Sequence, residues 1–155
     1  MAASIVAFSD NAAIVQAPTN DRASALAAIN RLTPQRGTAI GRGILTSLEA
    51  IIEDPAKPVP TPYVGDPLNA PPPTPTPTPV PHGTYAPAIV VLLSDGESNV
   101  GPAPLSVIDQ ASNQGVRVFT VGLGSPEGVV LKVQGRSVRV RLDETTLKSI
   151  ADKTN

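Results

Sequence analysis

The sequence predicts an α/β fold with a Rossmann-like, mainly parallel sheet and helices on both faces. Residues 88–93 (AIVVLL) form a continuous apolar, β-branched run, which is typical of a parallel strand buried on both faces, and residues 116–121 (VRVFTV) predict another buried strand. Between these two runs, Leu105, Ile108 and Ala111 recur at helical spacing, and Gly115 follows as a helix-ending residue. A strand–helix–strand unit of this kind implies a right-handed crossover that lays helices over the sheet.

The chain begins with a predicted antiparallel hairpin. Residues 5–8 and 12–15 are short apolar runs, and the turn-forming sequence Ser9-Asp10-Asn11 separates them. A short amphipathic helix is expected next, capped from residues 19–21 and ended near Pro34. Its predicted apolar face consists of Leu26, Ile29 and Leu32.

The strongest helical pattern starts after Gly37-Thr38 and stops at Pro55. Its apolar stripe, at helical period, consists of Ile40, Ile44, Leu45, Leu48, Ile51 and Ile52. Near the end of the chain, residues 129–133 and 138–141 flank Gln134-Gly135 and predict a second hairpin. Asp143 is the predicted cap of a final helix that carries Leu147, Ile150 and Ala151.

Proline is concentrated in one segment. Residues 55–87 contain 13 of the chain's 18 prolines, including a Thr-Pro alternation. This composition favours extended polyproline II conformations and cannot build a core. We therefore interpret 55–87 as a disordered or stiff surface insertion, an inert spacer rather than a proline-recognition ligand. Residues 1–54 and 88–155 are then the two parts of one domain.

Composition excludes several classes of function. The net charge is −1, and Arg136, Arg139 and Arg141 form the one local basic cluster, so the sequence does not predict nucleic-acid binding. The absence of cysteine excludes disulfides and thiolate metal sites. No apolar run approaches the roughly 18 residues of a transmembrane helix, and Met1 is not followed by the charged region of a signal peptide.

Two residues are candidates for binding a metal ion. Asp95 directly follows residues 88–93, and ligands of open α/β sheets lie at the carboxyl ends of strands. Its carboxylate is a hard oxygen donor suited to Mg²⁺, Mn²⁺ or Ca²⁺. Thr38 stands at the start of the strongest helix, where its hydroxyl could bind a metal or simply cap the helix.

Five segments, in order, resemble the von Willebrand factor type A domain. They are residues 5–10 (IVAFSD), 32–44 (LTPQRGTAIGRGI), 89–99 (IVVLLSDGESN), 115–124 (GVRVFTVGLG) and 141–155 (RLDETTLKSIADKTN). The second segment resembles the family's second metal motif, with Thr38 in the threonine position. The third resembles the third metal motif, with Asp95 in the aspartate position. The last segment is similar to bacterial members.

The resemblance implies a protein-binding or adhesion module with a divalent cation on top of the sheet. Thr38 and Asp95 would be its metal ligands, and Mg²⁺, or else Mn²⁺ or Ca²⁺, would be the ion. A carboxylate of a partner protein would fill an open position on that ion. The residues expected on the partner-binding rim are Gly37, Ser94, Gly96, Glu97, Ser98 and Asn99.

The sequence also departs from the family pattern. No Asp-x-Ser-x-Ser motif is present, and the family's first strand, first helix and final strand have no counterpart. We therefore expect a fold that is incomplete at both ends, with weak metal binding and two unpaired strand edges where the first strand would lie. The hypothesis is a fragment of a longer protein, and the likeness to bacterial members makes a membrane-anchored parent an expectation.

Other functions are less well supported by the residues. We expect no enzymatic activity. Asp95 and Glu97 distantly resemble a Mg²⁺-dependent phosphatase motif, but a second acidic pair is not evident. The glycines of residues 122–128 have GxGxxxG spacing and do not match a dinucleotide-binding fingerprint. A metal-independent interaction module that uses its rim or open sheet edge, or a fragment without function, remains an alternative.

Overall fold

The structure is a computed structural model that describes residues 2–52, 86–133 and 136–155. In chain order the described elements are β1 (Ala3–Phe8), β2 (Ala12–Thr19), α1 (Arg22–Asn30), α2 (Ile40–Ile52), β3 (Ile89–Ser94), α3 (Pro104–Asn113), β4 (Arg117–Gly122), β5 (Val129–Val133), β6 (Arg136–Val140) and α4 (Glu144–Lys153). The predicted proline-rich insertion and the turn Gln134-Gly135 lie outside the described residues, apart from the last two residues of the insertion.

The first hairpin is confirmed. β1 and β2 pair antiparallel, with Phe8 opposite Ala12 across the turn. The backbone N–H of Ser9 donates to the carbonyl of Asn11 at 2.7 Å and closes that turn. β2 continues to Thr19, four residues beyond the predicted end of the strand.

α1 begins where the sequence predicted, but its apolar face was predicted wrongly. The Asp21 carboxylate accepts two backbone N–H bonds from the first turn. Leu26, Ile29 and Leu32 are nevertheless 48%, 49% and 42% exposed, and Ala28 is the buried residue of the helix. The helix packs on both strands of the hairpin, and its small buried residue, rather than the larger apolar ones, is covered in this packing.

α2 confirms its predicted apolar stripe as far as Ile51; the side chain of Ile52 lies outside the described residues. Ile40 and Ile44 are completely buried and Leu48 is 2% exposed, while Leu45 and Ile51 pack at the margin of the core. The helix contacts β1, β2, β3 and α3. It therefore joins the N-terminal hairpin to the second half of the chain.

β3 and β4 form the predicted parallel pair, in the register Val90 to Val118. α3 connects them, and its residues Ile108 and Ala111 are fully buried as predicted. Leu105, which was predicted on the same face, is 39% exposed, and Val107 occupies the core instead. The core comprises Ile40, Ile44, Leu48, Val90, Leu92, Val107, Ile108, Ala111, Val116, Val118, Leu147 and Ile150.

The expectation that these strands are buried on both faces was wrong. β3 alternates strictly, with Val90 and Leu92 buried and the residues between them exposed. The exposed apolar side chains of this face are Ile89, Val91, Leu93, Phe119 and Val121, each between 44% and 55% accessible. The reason is that α2, α3 and α4 all contribute to one core on a single face, and no helix among the described residues covers the other.

The α/β class is confirmed, although the described strands form separate pairs rather than one sheet. The parallel pair is β3–β4, whereas β1–β2 and β5–β6 are antiparallel hairpins. Within the described residues, no Cα of β1 lies within 8 Å of one in β3, although α2 packs on both strands. Since paired strands lie about 4.8 Å apart, β1 and β3 are not paired with each other, and each has one paired neighbour among the described strands, as the resemblance led us to expect.

α4 completes the described fold as predicted. Asp143 caps it, and Leu147 and Ile150 are buried against the core. Among the helices that the structure describes, none is both long and apolar enough to cross a bilayer.

Candidate functional site at the end of β3

Three loops meet at the carboxyl end of β3. The backbone N–H of Leu123, which follows β4, donates to the carbonyl of Ser94 at 3.0 Å. The N–H of Asp143, which precedes α4, donates to the carbonyl of Asp95 at 2.7 Å. These bonds fix the position of the loop that begins at Asp95 relative to its neighbours.

The Asp95 carboxylate is partly engaged within its own loop. Oδ1 accepts the backbone N–H of Glu97 at 3.1 Å, and the Ser94 hydroxyl approaches the same oxygen at 3.5 Å. The Ser94 hydroxyl in turn accepts the N–H of Gly96 at 3.1 Å. This turn holds the carboxyl group of Asp95 in a defined place at the end of the strand, half-buried.

Gly96 is required by the path of the backbone. Its φ is 87°, which side chains other than glycine rarely tolerate. A Cβ at this position would also collide with the carbonyl oxygen of Asp143 and lie 3.1 Å from its carbonyl carbon. The glycine thus permits the close approach of the Asp95 loop to the start of α4.

Thr38 lies one residue before the cap position of α2. The first intrahelical bond runs from the N–H of Gly43 to the carbonyl of Ala39, at 3.0 Å, which makes Ala39 the N-cap. Thr38 is therefore not the N-cap residue of α2. Gly37, with a φ of 82°, turns the chain into this position against the backbone of Asp10.

Thr38 is bonded to the loop that carries Asp95. Its N–H donates to Oδ1 of Asn99 at 2.9 Å, and its carbonyl accepts the N–H of Asn99 at 3.0 Å. The same carbonyl is 3.3 Å from both the N–H of Val100 and the hydroxyl of Ser98. The structure therefore brings together the loops of the two predicted ligands, which are 57 positions apart in the chain.

The predicted rim residues differ in exposure. Glu97 and Asn99 are exposed, whereas Gly37 and Ser98 are half-buried. Ser94, at 7% accessible, and Gly96 are buried and support the loop from within. Beside this rim lies an open depression of about 470 Å³ lined by Glu97, Pro126, Glu127 and Arg141.

Asp143 connects the site to α4. Its carboxylate accepts the hydroxyl of Thr146 at 2.6 Å and the N–H of Thr146 at 3.1 Å. The hydroxyl bond, followed by the backbone bond, lowers the pKa of Asp143 below its usual value, and the positive charge of Arg141 contributes. Asp143 is therefore a stabilised carboxylate whose hydrogen bonds are directed into the helix.

The donors at this site suit a hard divalent cation in kind, although they are few. A carboxylate and a hydroxyl are oxygen ligands of the sort that Mg²⁺, Mn²⁺ and Ca²⁺ take. Within the described ranges, no three histidine, cysteine, aspartate or glutamate side chains are grouped so that they could share an ion. Thr38 and Asp95 could hold such an ion only with water completing its coordination.

Sequence reasoning did not identify two of the connections that build this site. The bond from Asp143 to Asp95 involves only backbone atoms, so no residue type signals it. The side-chain bond from Asn99 to Thr38 could have been suspected, because asparagine often bonds to nearby backbone in loops. Its partner, 61 positions away, could not have been deduced without the fold.

Comparison with known proteins relates the second half of the chain to a known domain family. Residues 81–155 match the family model of the von Willebrand factor type A domain. A UPF0353 protein of Mycolicibacterium paratuberculosis is 31% identical over 160 residues, and one from Mycolicibacterium vanbaalenii is 30% identical over 154 residues. These alignments cover 97% and 96% of this chain but only 40% and 39% of the relatives, so the chain spans about two fifths of their length.

Solved structures extend the likeness to the whole chain. An aerotolerance-related membrane protein from Bacteroides fragilis superposes with a TM-score of 0.70 at 20% identity, over 99% of this chain and 68% of that protein. BatB from Bacteroides thetaiotaomicron gives a TM-score of 0.69 at 20% identity, over 99% and 67%. At this identity the superpositions show the fold alone. The chain therefore has the von Willebrand factor type A fold, and residues 81–155 carry the sequence of that domain family.

Proposed function

We propose that this chain is a protein-binding module of a von Willebrand A-domain protein that uses a divalent cation held by Thr38 and Asp95. Domains of this family generally mediate protein interactions. The observation that carries the proposal is the set of hydrogen bonds between Thr38 and residues 98–100, because it places a hydroxyl-bearing loop beside the loop of Asp95.

The cation would supply a positive centre to which a carboxylate of the partner protein could bind. Two protein ligands are few for an ion that takes six or more oxygens, so water would complete its coordination. We therefore expect weak binding, with a Kd of roughly 10⁻⁴–10⁻³ M, as in low-affinity calcium modules. Mg²⁺, Mn²⁺ and Ca²⁺ all suit the oxygen donors.

Titration with Mn²⁺ alone, followed by electron paramagnetic resonance of the free ion, tests this proposal. Replacing Asp95 by alanine should weaken binding at least tenfold, because it removes the one carboxylate of the site. Asp109→Ala is the matched control, since Asp109 is a well-exposed aspartate on α3 whose side chain contacts Lys153 at 3.5 Å. Equal Mn²⁺ affinity of the Asp95 variant and the unmodified chain would refute the cation site.

We propose that the site at the end of β3 binds a partner protein and does not catalyse a reaction. Such a module fits the expected membrane-anchored parent, and the neighbour from Bacteroides fragilis is itself described as a membrane protein. Hydrolysis of a generic phosphate ester by the Mg²⁺-loaded chain, lost in Asp95→Ala, would contradict this and favour the phosphatase-like alternative.

A second candidate function is binding without metal at the open strand edges. It is favoured by the separation of β1 from β3 and by the exposed apolar face of β3. Unpaired edges accept an added strand from another chain. Sedimentation velocity in the presence of EDTA measures this tendency directly. Concentration-dependent self-association in EDTA, unchanged in Asp95→Ala, would support edge binding, whereas a monomer at every concentration would count against it.

A further inference from the structure

Thr38 and Asn99 form a closed, two-way hydrogen-bonded pair. The N–H of Thr38 donates to the side-chain carbonyl of Asn99 at 2.9 Å, and the N–H of Asn99 donates back to the Thr38 carbonyl at 3.0 Å. The side chain of Asn99 thus acts like the backbone carbonyl of a neighbouring strand. Both polar backbone groups of Thr38 are engaged by one residue of the opposite loop.

This pair matters because the side chain of Asn99 accepts the N–H of Thr38, whereas the carbonyl of Thr38 also lies 3.3 Å from the N–H of Val100 and from the hydroxyl of Ser98. Residues 32–39, between α1 and α2, form no helix or strand. Gly37, immediately before Thr38, adopts a positive φ and adds no side-chain packing. The first residues after Thr38, Ala39 and Ile40, are completely buried and anchor the start of α2, and the pair with Asn99 adds a bond from Thr38 to the opposite loop.

The position of a threonine hydroxyl follows closely from that of its backbone. A β-branched side chain is restricted about χ1, so a displacement of the Thr38 backbone also displaces its hydroxyl oxygen. Asn99 lies four residues after Asp95 in the same loop, and the turn of Asp95 onto Glu97 fixes the start of that loop. The asparagine therefore ties the hydroxyl donor to the carboxylate donor.

We propose that Asn99 is a positioning residue for the cation site. It does not bind the cation, but it fixes the Thr38 hydroxyl relative to the Asp95 carboxylate. The proposal rests on the proposed function, in which those two residues are the ligands. Residues that orient metal ligands typically change metal affinity about tenfold or more when they are removed.

Two substitutions separate the components of the pair. Asn99→Ala removes the side-chain acceptor and leaves the N–H of Thr38 without this partner, while the reverse backbone bond remains possible. Asn99→Asp keeps an oxygen at the Oδ1 position. Asn11→Ala is the matched control, because Asn11 is also an exposed asparagine whose Oδ1 accepts a bond from another element, Nη1 of Arg42 at 3.1 Å.

The experiment combines Mn²⁺ titration with hydrogen exchange of the Thr38 amide, measured by NMR. We expect Asn99→Ala to weaken Mn²⁺ binding about tenfold and to accelerate exchange of this amide. Asn99→Asp should restore slow exchange, and Asn11→Ala should change neither quantity. The exchange rate reports on the pair without any metal present.

The outcomes distinguish this proposal from the function on which it rests. If the unmodified chain binds no Mn²⁺, the proposed function fails and the positioning role fails with it. If the unmodified chain and Asn99→Ala bind Mn²⁺ equally well, only the positioning role is overturned. If Asn99→Ala and Asn11→Ala weaken binding to the same extent, the loss reflects general destabilisation, and the positioning role is again overturned.

Discussion

Replacement of Gly96 by alanine should destabilise the domain by disrupting the junction between the Asp95 loop and α4. Gly96 has a φ of 87°, and its added Cβ would collide with the carbonyl oxygen of Asp143. Backbone atoms cannot rotate out of the way as a side chain could. The two loops must therefore separate, and the bond from the Asp143 N–H to the Asp95 carbonyl, now 2.7 Å long, should lengthen or break.

The magnitude has two parts. A left-handed backbone costs alanine roughly 1–2 kcal/mol, and loss of one backbone hydrogen bond costs about 1 kcal/mol more. Local strain in the separated loops brings the expected loss in unfolding free energy to about 2–4 kcal/mol. For a domain of this size each kcal/mol lowers Tm by about 2–4 °C. Urea unfolding followed by circular dichroism measures the free energy, and a thermal melt checks the sign.

Gly101→Ala supplies the control, because it changes the same backbone conformation without the same obstacle. Gly101 has a φ of 77°, and the three atoms nearest to an added Cβ all belong to the flexible side chain of Arg42, with Nε at 3.0 Å. This variant should lose only the conformational part, roughly 1–2 kcal/mol. If Gly96→Ala and Gly101→Ala lose equal free energy of unfolding, the argument from close approach to Asp143 is wrong.

Three further predictions concern the core, the acid range and the exposed face. Ile108→Ala should lower the free energy of unfolding by about 2–5 kcal/mol, because Ile108 is completely buried. Leu105→Ala on the same helix should lower it by about 1 kcal/mol or less, because Leu105 is 39% exposed. Equal losses in urea titrations would contradict the packing of α3. The pKa of Asp143 is lowered in the folded state, so its carboxylate stabilises the fold fully above the unfolded pKa of about 3.9, and this stabilisation is lost as pH falls through the lower folded pKa. In thermal melts recorded over a pH series, Asp143→Asn should therefore show a smaller fall in Tm at acid pH than the unmodified chain. Val90→Lys should prevent folding, because Val90 is 8% exposed and the substitution buries a charge. Val91→Lys, at a position that is 52% exposed, should change the free energy of unfolding by about 0.5 kcal/mol or less. Comparable Tm values for both variants would show that the alternation of buried and exposed residues along β3 is misassigned.

The order and type of the elements could be predicted from the sequence because local signals agreed. Asp21 and Asp143 both cap the helices that they were expected to start. α2 was read correctly because its apolar stripe is long and uninterrupted, and Ile40, Ile44 and Leu48 of that stripe are indeed buried in the core. Such signals depend on residues close together in the chain, which a sequence displays directly.

Burial was predicted less well, because it depends on what lies across the sheet. A continuous apolar run such as residues 88–93 is typical of a strand covered on both sides, but the run itself does not show whether both covers are present. In the described residues, one cover is built by α2, α3 and α4, and Val91 faces away from it at 52% exposure. Leu26 and Ile29 were assigned to the wrong side of α1 for a similar reason, because the sequence of a helix does not show which of its faces another element covers.

The sequence identified Thr38 and Asp95 as candidates but not how they come together, and two glycines explain part of this. They are Gly41 and Gly43, which lie in the first turn of α2. A Cβ on Gly41 would collide with the carbonyl oxygen of Pro102, and one on Gly43 would lie 2.9 Å from Cδ1 of Phe8. The glycines therefore allow the first turn of α2 to press between the hairpin and the loop after β3.

This close packing has a direct consequence for the site. Thr38 lies immediately before that first turn, so the depth at which α2 is seated determines how near the residue can come to the loop of Asn99. A larger residue at Gly41 would lift the start of the helix from Pro102 and lengthen the bonds that Thr38 makes. The two glycines, which have no polar side chain, thus contribute to the position of Thr38 at the start of α2, and a search restricted to polar residues would pass over them.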